Sequence, residues 1–174
     1  MTLDDNRQLP AALAAALATD FDYDGGNGVD FEPYATFLSA ADTTDWWQSW
    51  TGNAELRGDD FRVFGQDGTG GYAAIWLVRA ALPLTDQPIV FLGSEGETAV
   101  LAHDLDDFLW LLAAGFGPYE ATEYGPEWAP APNPHLVAVA ERFAPDRRQP
   151  GAAVIERAVA EYPDFGDRIM GLCH

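Results

Sequence analysis

Lysine is absent from this 174-residue chain, and nine arginines face 28 Asp and Glu, for a formal net charge of −19. A chain so poor in positive charge has little with which to hold nucleic-acid phosphate or an anionic membrane, so neither is an expected partner. Basic partners, cations or plain solubility fit the charge. Cysteine occurs once, as Cys173, which excludes an internal disulfide and a Cys-based zinc site. No apolar run approaches the roughly 18 residues of a membrane span. Positive charge is also missing at the N-terminus, where Asp4 and Asp5 replace the basic region of a signal peptide, so a cytoplasmic location is expected. Apolar residues are plentiful at 48%, with 13% aromatic, enough for a core in a single domain of this length.

Periodicity divides the chain into three parts. Leu9, Leu13 and Leu17 predict an Ala-rich first helix, followed by an acidic, Gly-rich loop over residues 20–30. Pro33 opens a short helical pattern through Phe37 and Leu38, and Asp42 and Thr43 could cap a turn carrying Trp46, Trp47 and Trp50, stopped by Gly52. The middle reads as β-structure: residues 61–65 and 72–79 flank Asp67-Gly68 and Gly70-Gly71, and Pro88–Leu92 and Thr98–Ala102 supply two more strands. Connections this short favour an antiparallel meander. Asp104 then caps a helix with Leu105, Phe108, Leu109 and Leu112 on one face. Residues 119–132 read as an irregular covering loop. Asn133-Pro134 starts a helix bearing Leu136, Val139, Ala140 and Phe143, and Ile155, Ala158, Val159 and Tyr162 mark a last one ended by Pro163. Helices, strands, then helices predict an α+β fold, with an antiparallel sheet of about four to six strands flanked by helices.

Charge is uneven along this order. Residues 80–140 contain nine acids and no basic residue, and residues 1–32 contain seven acids and one Arg. Folded onto one side, these segments would make a negative face.

Several motifs invite a chemical reading. Gly68-Thr69-Gly70-Gly71-Tyr72-Ala73 fits G-x-G-x-x-A, but a dinucleotide site needs a helix N-terminus there and Ala74-Ile75-Trp76 reads as strand, so a hairpin turn is expected. Asp20, Asp22, Asp24 and Gly25 match the opening of an EF-hand loop, whose alternating carboxylates can converge on Ca²⁺. The twelfth position is Phe31 rather than Glu, and a solvated acidic loop is the plainer reading. Ser94, His103 and Asp104, Asp106 or Asp107 are triad residue types, yet Ser94 lacks the G-x-S-x-G elbow. His103, Asp104 and Asp107 could equally ligate a metal or simply cap a turn. His135 and His174 have no partner spacing, and the Cys173-His174 end reads as a mobile tail. Trp46, Trp47 and Trp50 either pack beneath the sheet or, with Tyr119, Tyr124 or Trp128, anchor an interface.

Three segments in order carry a resemblance: Phe64-Gly65-Gln66-Asp67-Gly68-Thr69-Gly70-Gly71-Tyr72, then Pro88-Ile89-Val90-Phe91-Leu92-Gly93-Ser94-Glu95-Gly96-Glu97, then Ala102-His103-Asp104-Leu105-Asp106-Asp107-Phe108-Leu109. This series resembles the SUKH superfamily, which includes the fungal cell-wall-assembly regulators and bacterial toxin-immunity proteins. It spans roughly residues 45–115 of what would be one domain over 1–174, with an acidic extension over 1–44 and added helices over 133–172. The resemblance implies an antiparallel sheet flanked by helices and a non-enzymatic protein-binding role, as an immunity or a housekeeping regulatory protein. For an immunity protein the implied partner is a polymorphic or contact-delivered toxin, often a nuclease.

The resulting expectation is a protein-binding domain with neither catalytic residues nor cofactor. Its negative surface comes from Asp20, Asp22, Asp24, Glu95, Glu97, Asp106, Glu120 and Glu123, with Tyr124 and Trp128 as apolar anchors. The partner expected is a basic protein. Ca²⁺ binding on the Asp20, Asp22 and Asp24 loop is the alternative, and a small hydrolase on Ser94 and His103 is a third.

Overall fold

Asp67 closes the central hairpin. Its Oδ1 accepts the backbone N–H groups of Thr69 and Gly71 at 2.9 and 2.8 Å and the Thr69 hydroxyl at 2.8 Å. A carboxylate used this way replaces the missing backbone partners of the turn. The segment that sequence periodicity assigns to a hairpin is therefore a hairpin, and no helix N-terminus faces a pyrophosphate there.

The computed structural model describes residues 6–174; residues 1–5, with Asp4 and Asp5, lie outside the described residues. The chain forms α1 (Ala11–Leu17), β1 (Glu32–Pro33), α2 (Ala40–Thr51), β2 (Phe61–Gln66), β3 (Tyr72–Trp76), β4 (Ile89–Leu92), β5 (Thr98–Ala102), α3 (Leu105–Ala113), α4 (Pro118–Tyr124), α5 (Pro134–Phe143), α6 (Gly151–Glu161) and α7 (Phe165–Met170). The five strands pair in chain order, each antiparallel to its neighbour. The fold is α+β in one domain.

The sheet is covered on both faces, which is why β4 reads Ile-Val-Phe-Leu without polar alternation and is buried throughout. Phe64, Ala73, Ile75, Ile89, Phe91 and Leu101 face a core shared with α1, α3, α5 and the start of α6. Phe61, Val63, Ala74, Trp76, Val90, Leu92 and Val100 face a second core completed by Trp47, Ala158, Phe165 and Ile169. The tryptophan cluster belongs to this second core. Trp47 stacks on Trp50 with centroids 5.7 Å apart and meets Phe61 at 4.8 Å, and the Trp50 indole donates to Gly93 O at 2.8 Å.

Helix ends follow local chemistry. Asp104 Oδ1 accepts Asp107 N–H at the start of α3, and Asn133 Oδ1 accepts His135 and Leu136 N–H ahead of Pro134. Gly52 stops α2 in the left-handed region at φ 68°. The start of α2 differs from expectation: Ser39, not Asp42 or Thr43, is the cap, its hydroxyl accepting Asp42 N–H.

Four further expectations are corrected. Pro33–Leu38 is extended rather than helical: β1 pairs with β2, Tyr34 N–H bonds Phe64 O and Leu38 N–H bonds Val63 O. Proline suits a sheet edge as well as a first helical turn, and the pairing with β2 decides between them. Residues 119–132 begin as helix α4, started by Pro118 at its first position. A helix α7 follows Pro163 and buries Phe165 and Ile169 near Trp76. The C-terminal tail is anchored, with His174 N–H donating to Thr51 O at 3.0 Å and the Asn53 amide to Leu172 O at 3.0 Å.

The segment read as an N-terminal extension is part of the same core, through α1 and through β1 across Gly65. A Cβ on Gly65 would lie 2.4 Å from Phe31 Cζ and 2.9 Å from Glu32 O. Gly65→Ala is therefore expected to push β1 off the sheet and cost about 1–3 kcal/mol, as overpacking does, seen as an earlier denaturation midpoint. An unchanged midpoint would mean β1 shifts freely.

Candidate functional site: an unpaired acidic pole

The antiparallel meander puts every hairpin turn between β2 and β5 at one of two ends. Glu32 pairs with Gln66, Tyr72 with both Gln66 and Leu92, and Leu92 with Thr98, so the start of β1, the Asp67–Gly71 turn and the Gly93–Glu97 turn share one end of the sheet. The loop over residues 20–28 is tied to this end. Val29 N–H bonds Asp22 O, and Asp30 Oδ1 accepts Gly68 N–H at 2.9 Å. The start of α4 is there too, since Asp30 N–H donates to Glu120 Oε2 at 3.0 Å.

This end gathers Asp22, Asp30, Glu32, Asp67, Glu95, Glu97 and Glu120, with Asp24 in the loop after Asp22 and Glu123 one turn further along α4; Asp20 lies beside Leu17, Pro33 and Tyr34 in a separate hollow. Asp20, Asp22, Asp24, Glu32, Glu95 and Glu123 are exposed. Among the described residues none of these acids forms an ion pair. The ion pairs lie elsewhere: Arg57–Asp59, Arg79 and His103 with Glu161, Arg147 with Asp104, Asp106 and Asp107, Arg157–Asp107 and Arg148–Glu141. Asp59 precedes β2 and His103 follows β5, which places those pairs at the opposite end of the sheet. The arginine pairs thus lie away from this pole, which is left negative and uncompensated; exposed acids elsewhere, among them Asp42, Asp45, Asp60 and Asp86, are also outside any ion pair among the described residues.

Two other expected contributors sit differently. Asp106 belongs to the opposite end, in the first turn of α3, 4.0 Å from Arg147. Burial and the neighbouring Asp104 raise its pKa while Arg147 lowers it, with a net rise. Glu120 is at the pole but not on its surface, being 2% exposed. Read as part of an irregular loop it would be solvated; on α4 it faces inward beside Ala121. Among the described residues its Oε1 has no hydrogen-bond partner, nor has Asp67 Oδ2. Burial is the main cause pushing the Glu120 pKa up to about 7, with the charges of Asp30 and Asp67 adding to it and the Asp30 N–H opposing it. Asp30, Glu32 and Asp67 are pole residues that sequence reasoning passed over. Asp67 carried a signal only as a turn former.

Tyr124 and Trp128 do come together. Their rings are 5.0 Å apart, Trp128 packs edge-on to Phe116 at 5.3 Å, and Tyr119 bridges Tyr124 to Phe91 at 6.4 and 6.5 Å. This ladder runs from the core to a Tyr124 that is 46% exposed, next to Glu123.

The other chemical readings fail on geometry. Ser94 bonds Thr69 across the acidic pole at 2.9 Å, whereas His103 lies at the far end of the β4–β5 hairpin, so no triad forms. His103 Nδ1 instead meets Glu161 Oε2 at 2.5 Å and Arg79 Nη2 at 2.8 Å, and Arg79 Nη2 also pairs with Glu161 Oε1. Burial disfavours ionised Glu161, but hydrogen bonds and charge from His103 and Arg79 prevail and hold its carboxyl below the ordinary range. Asp22 Oδ1 accepts Asp24 N–H at 2.9 Å, and among the described residues no three His, Cys, Asp or Glu side chains converge as metal ligands. The EF-hand opening is thus a local turn. No helix among the described residues is long and apolar enough to cross a membrane.

No family model, curated protein or solved structure matches this chain.

Proposed function

We propose that the chain is a non-enzymatic protein-binding domain whose acidic pole, flanked by Tyr124 and Trp128, takes a basic protein. The observation carrying this reading is the group of exposed acids at one end of the sheet, none of them paired with an arginine among the described residues. Concentrated like charge costs stability through self-repulsion, which an oppositely charged partner relieves. A nuclease must be basic to hold phosphate, and a negative surface can occupy that site. A toxin of this kind, bound by a cytoplasmic immunity protein, is the partner class implied by the resemblance to the SUKH superfamily.

Tagged protein used as bait at low and high salt tests this. One basic partner is expected, retained at low salt and shed at high salt. The neutralised variant D22N/D24N/E95Q/E97Q should lose it, and the D59N/E141Q control should keep it. Capture that ignores salt and is equal for both variants would overturn the reading.

A further inference from the structure

α6 begins against the end of α3, and a cavity of about 390 Å³ opens where they meet. A Cβ on Gly151 would lie 2.7 Å from Phe116 Cδ2 and 3.0 Å from Ala114 Cβ, so the first turn of α6 is seated directly on that end. Trp110, Ala113 and Ala114 line the cavity from α3, Val137 from α5, and Pro132 and Pro150 from the segments before α5 and α6. Ala114 and Val137 are half-buried and both prolines are exposed, so the cavity reaches solvent. Its volume is at the lower end of the roughly 300–1,000 Å³ of small-molecule sites, which are likewise mostly apolar with a few placed polar groups.

Among the described residues, Arg148 is the one charged residue in this lining, in a chain where acids outnumber arginines 28 to nine. Its guanidinium lies 5.1 Å from the centre of the Trp110 ring. Nη1 donates to Glu141 Oε1 at 2.8 Å in an exposed pair, and among the described residues Nε and Nη2 have no acceptor. Backbone charge agrees in sign. Pro150 stands at the N-cap of α6 with no side-chain bond to the first turn, which leaves the positive end of an eleven-residue helix at the cavity. The end of α3 does not oppose it, because its last four carbonyls are taken. Trp110, Leu111, Leu112 and Ala113 O accept the N–H groups of Ala114, Phe116, Gly115 and Asn133.

We infer that this cavity binds a small free carboxylic acid with a compact apolar body. The body packs against Val137, Ala114 and the two prolines, and the carboxylate takes the free donors of Arg148. Charge selects the acid. An amine would meet the guanidinium with like charge, and a neutral body would leave its donors unused, whereas the planar fork of arginine matches a carboxylate. Glu141 already occupies one corner of that fork, so the chain itself supplies a competing carboxylate. The cavity shares no lining residue with the acidic pole, and the inference does not rest on the protein-binding reading.

Phenylacetate titrated into the isotope-labelled full chain tests this, read by NMR at the indole N–H of Trp110, which donates to Ala144 O at 2.8 Å. A saturating shift is expected, with a dissociation constant on the order of 1 mM for a ligand this small. R148Q should weaken binding at least about tenfold, as loss of a charge-assisted hydrogen bond does, with little change in Tm because the Arg148–Glu141 pair is exposed. E141Q should tighten it about two- to fivefold by removing the competitor. 2-Phenylethanol, with the same body and no charge, should bind at least about tenfold more weakly, and phenethylamine should not bind. Equal binding of acid and alcohol, or binding indifferent to R148Q, would overturn the carboxylate assignment. An unmoved Trp110 signal at about 20 mM phenylacetate, far above the expected dissociation constant, would overturn the site. Tighter binding of a tripeptide ending in phenylalanine would replace the free acid with a peptide C-terminus.

Discussion

Replacing Arg147 with alanine is expected to lower folding stability by about 3 kcal/mol, the lower end of what breaking a buried ion pair costs. For a domain of this size that is a fall of roughly 6–12 °C in Tm. Asp107 is 0% exposed, and its oxygens accept from Arg147 Nη2 at 2.6 Å, the Gln149 amide at 2.9 Å and Arg157 Nη1 at 3.3 Å. Arg147 Nη2 also donates to both Asp104 oxygens at 3.1 and 3.0 Å, so the carboxylate that caps α3 is clamped by the same guanidinium. Losing it leaves a buried charge with two weaker donors. The Arg147 side chain is itself 30% exposed, which keeps the expected loss near the bottom of the range. A second substitution separates charge from packing. Asp107→Asn in the Arg147→Ala background should recover part of the loss, because a neutral amide is cheaper to bury. Thermal denaturation of the native protein and the two variants decides the matter. A loss below about 0.5 kcal/mol for Arg147→Ala would mean that the contact behaves as an exposed surface pair.

Glu120→Gln is expected to stabilise the protein at pH 8 and to leave it unchanged at pH 4. The folded-state pKa of Glu120 is raised from 4.5 to about 7, so between these values the native protein holds a proton that the unfolded chain has released. Stability from this group is therefore fully present below about pH 4.5 and is lost as pH rises through 7. The displacement corresponds to an order of about 3 kcal/mol. Glutamine keeps an oxygen to accept Asp30 N–H and never ionises beside Asp30 and Asp67. The difference between variant and native protein should grow from zero at pH 4 to about 3 kcal/mol at pH 8. Chemical denaturation across that range measures it, and the pervasive repulsion of a −19 chain cancels in the difference. Parallel curves at all pH values would place Glu120 in a solvated site, ionised throughout.

Residues near one another in sequence announced their structure. The Asp67-Gly68 turn, the caps at Asp104 and Asn133, the Gly52 stop and the uninterrupted apolar run of β4 each depend on contacts within a few residues, and each is found where the pattern puts it. Chain order with short connections was then enough for an antiparallel meander and the α+β class. Segments that could serve two purposes were misread. Pro33 can open a helix or end at a sheet edge, and the short run from Pro118 to Tyr124 has too few turns for its period to show.

The candidate site was legible as composition and not as arrangement. An excess of acids, an Arg-poor stretch and the aromatics Tyr124 and Trp128 were all visible in the chain. Their partners were not. The bond from Asp30 to Glu120 spans ninety residues, and those from Arg147 to Asp104 span 43. Such contacts take Glu120 out of solvent and Asp106 out of the negative face. Composition alone determined that the protein is strongly acidic, cysteine-poor and able to build a core. Tertiary structure decided which acids are neutralised, which are buried and which stand free. Burial and ion pairing depend on distances between segments remote in sequence, and folding alone sets those distances.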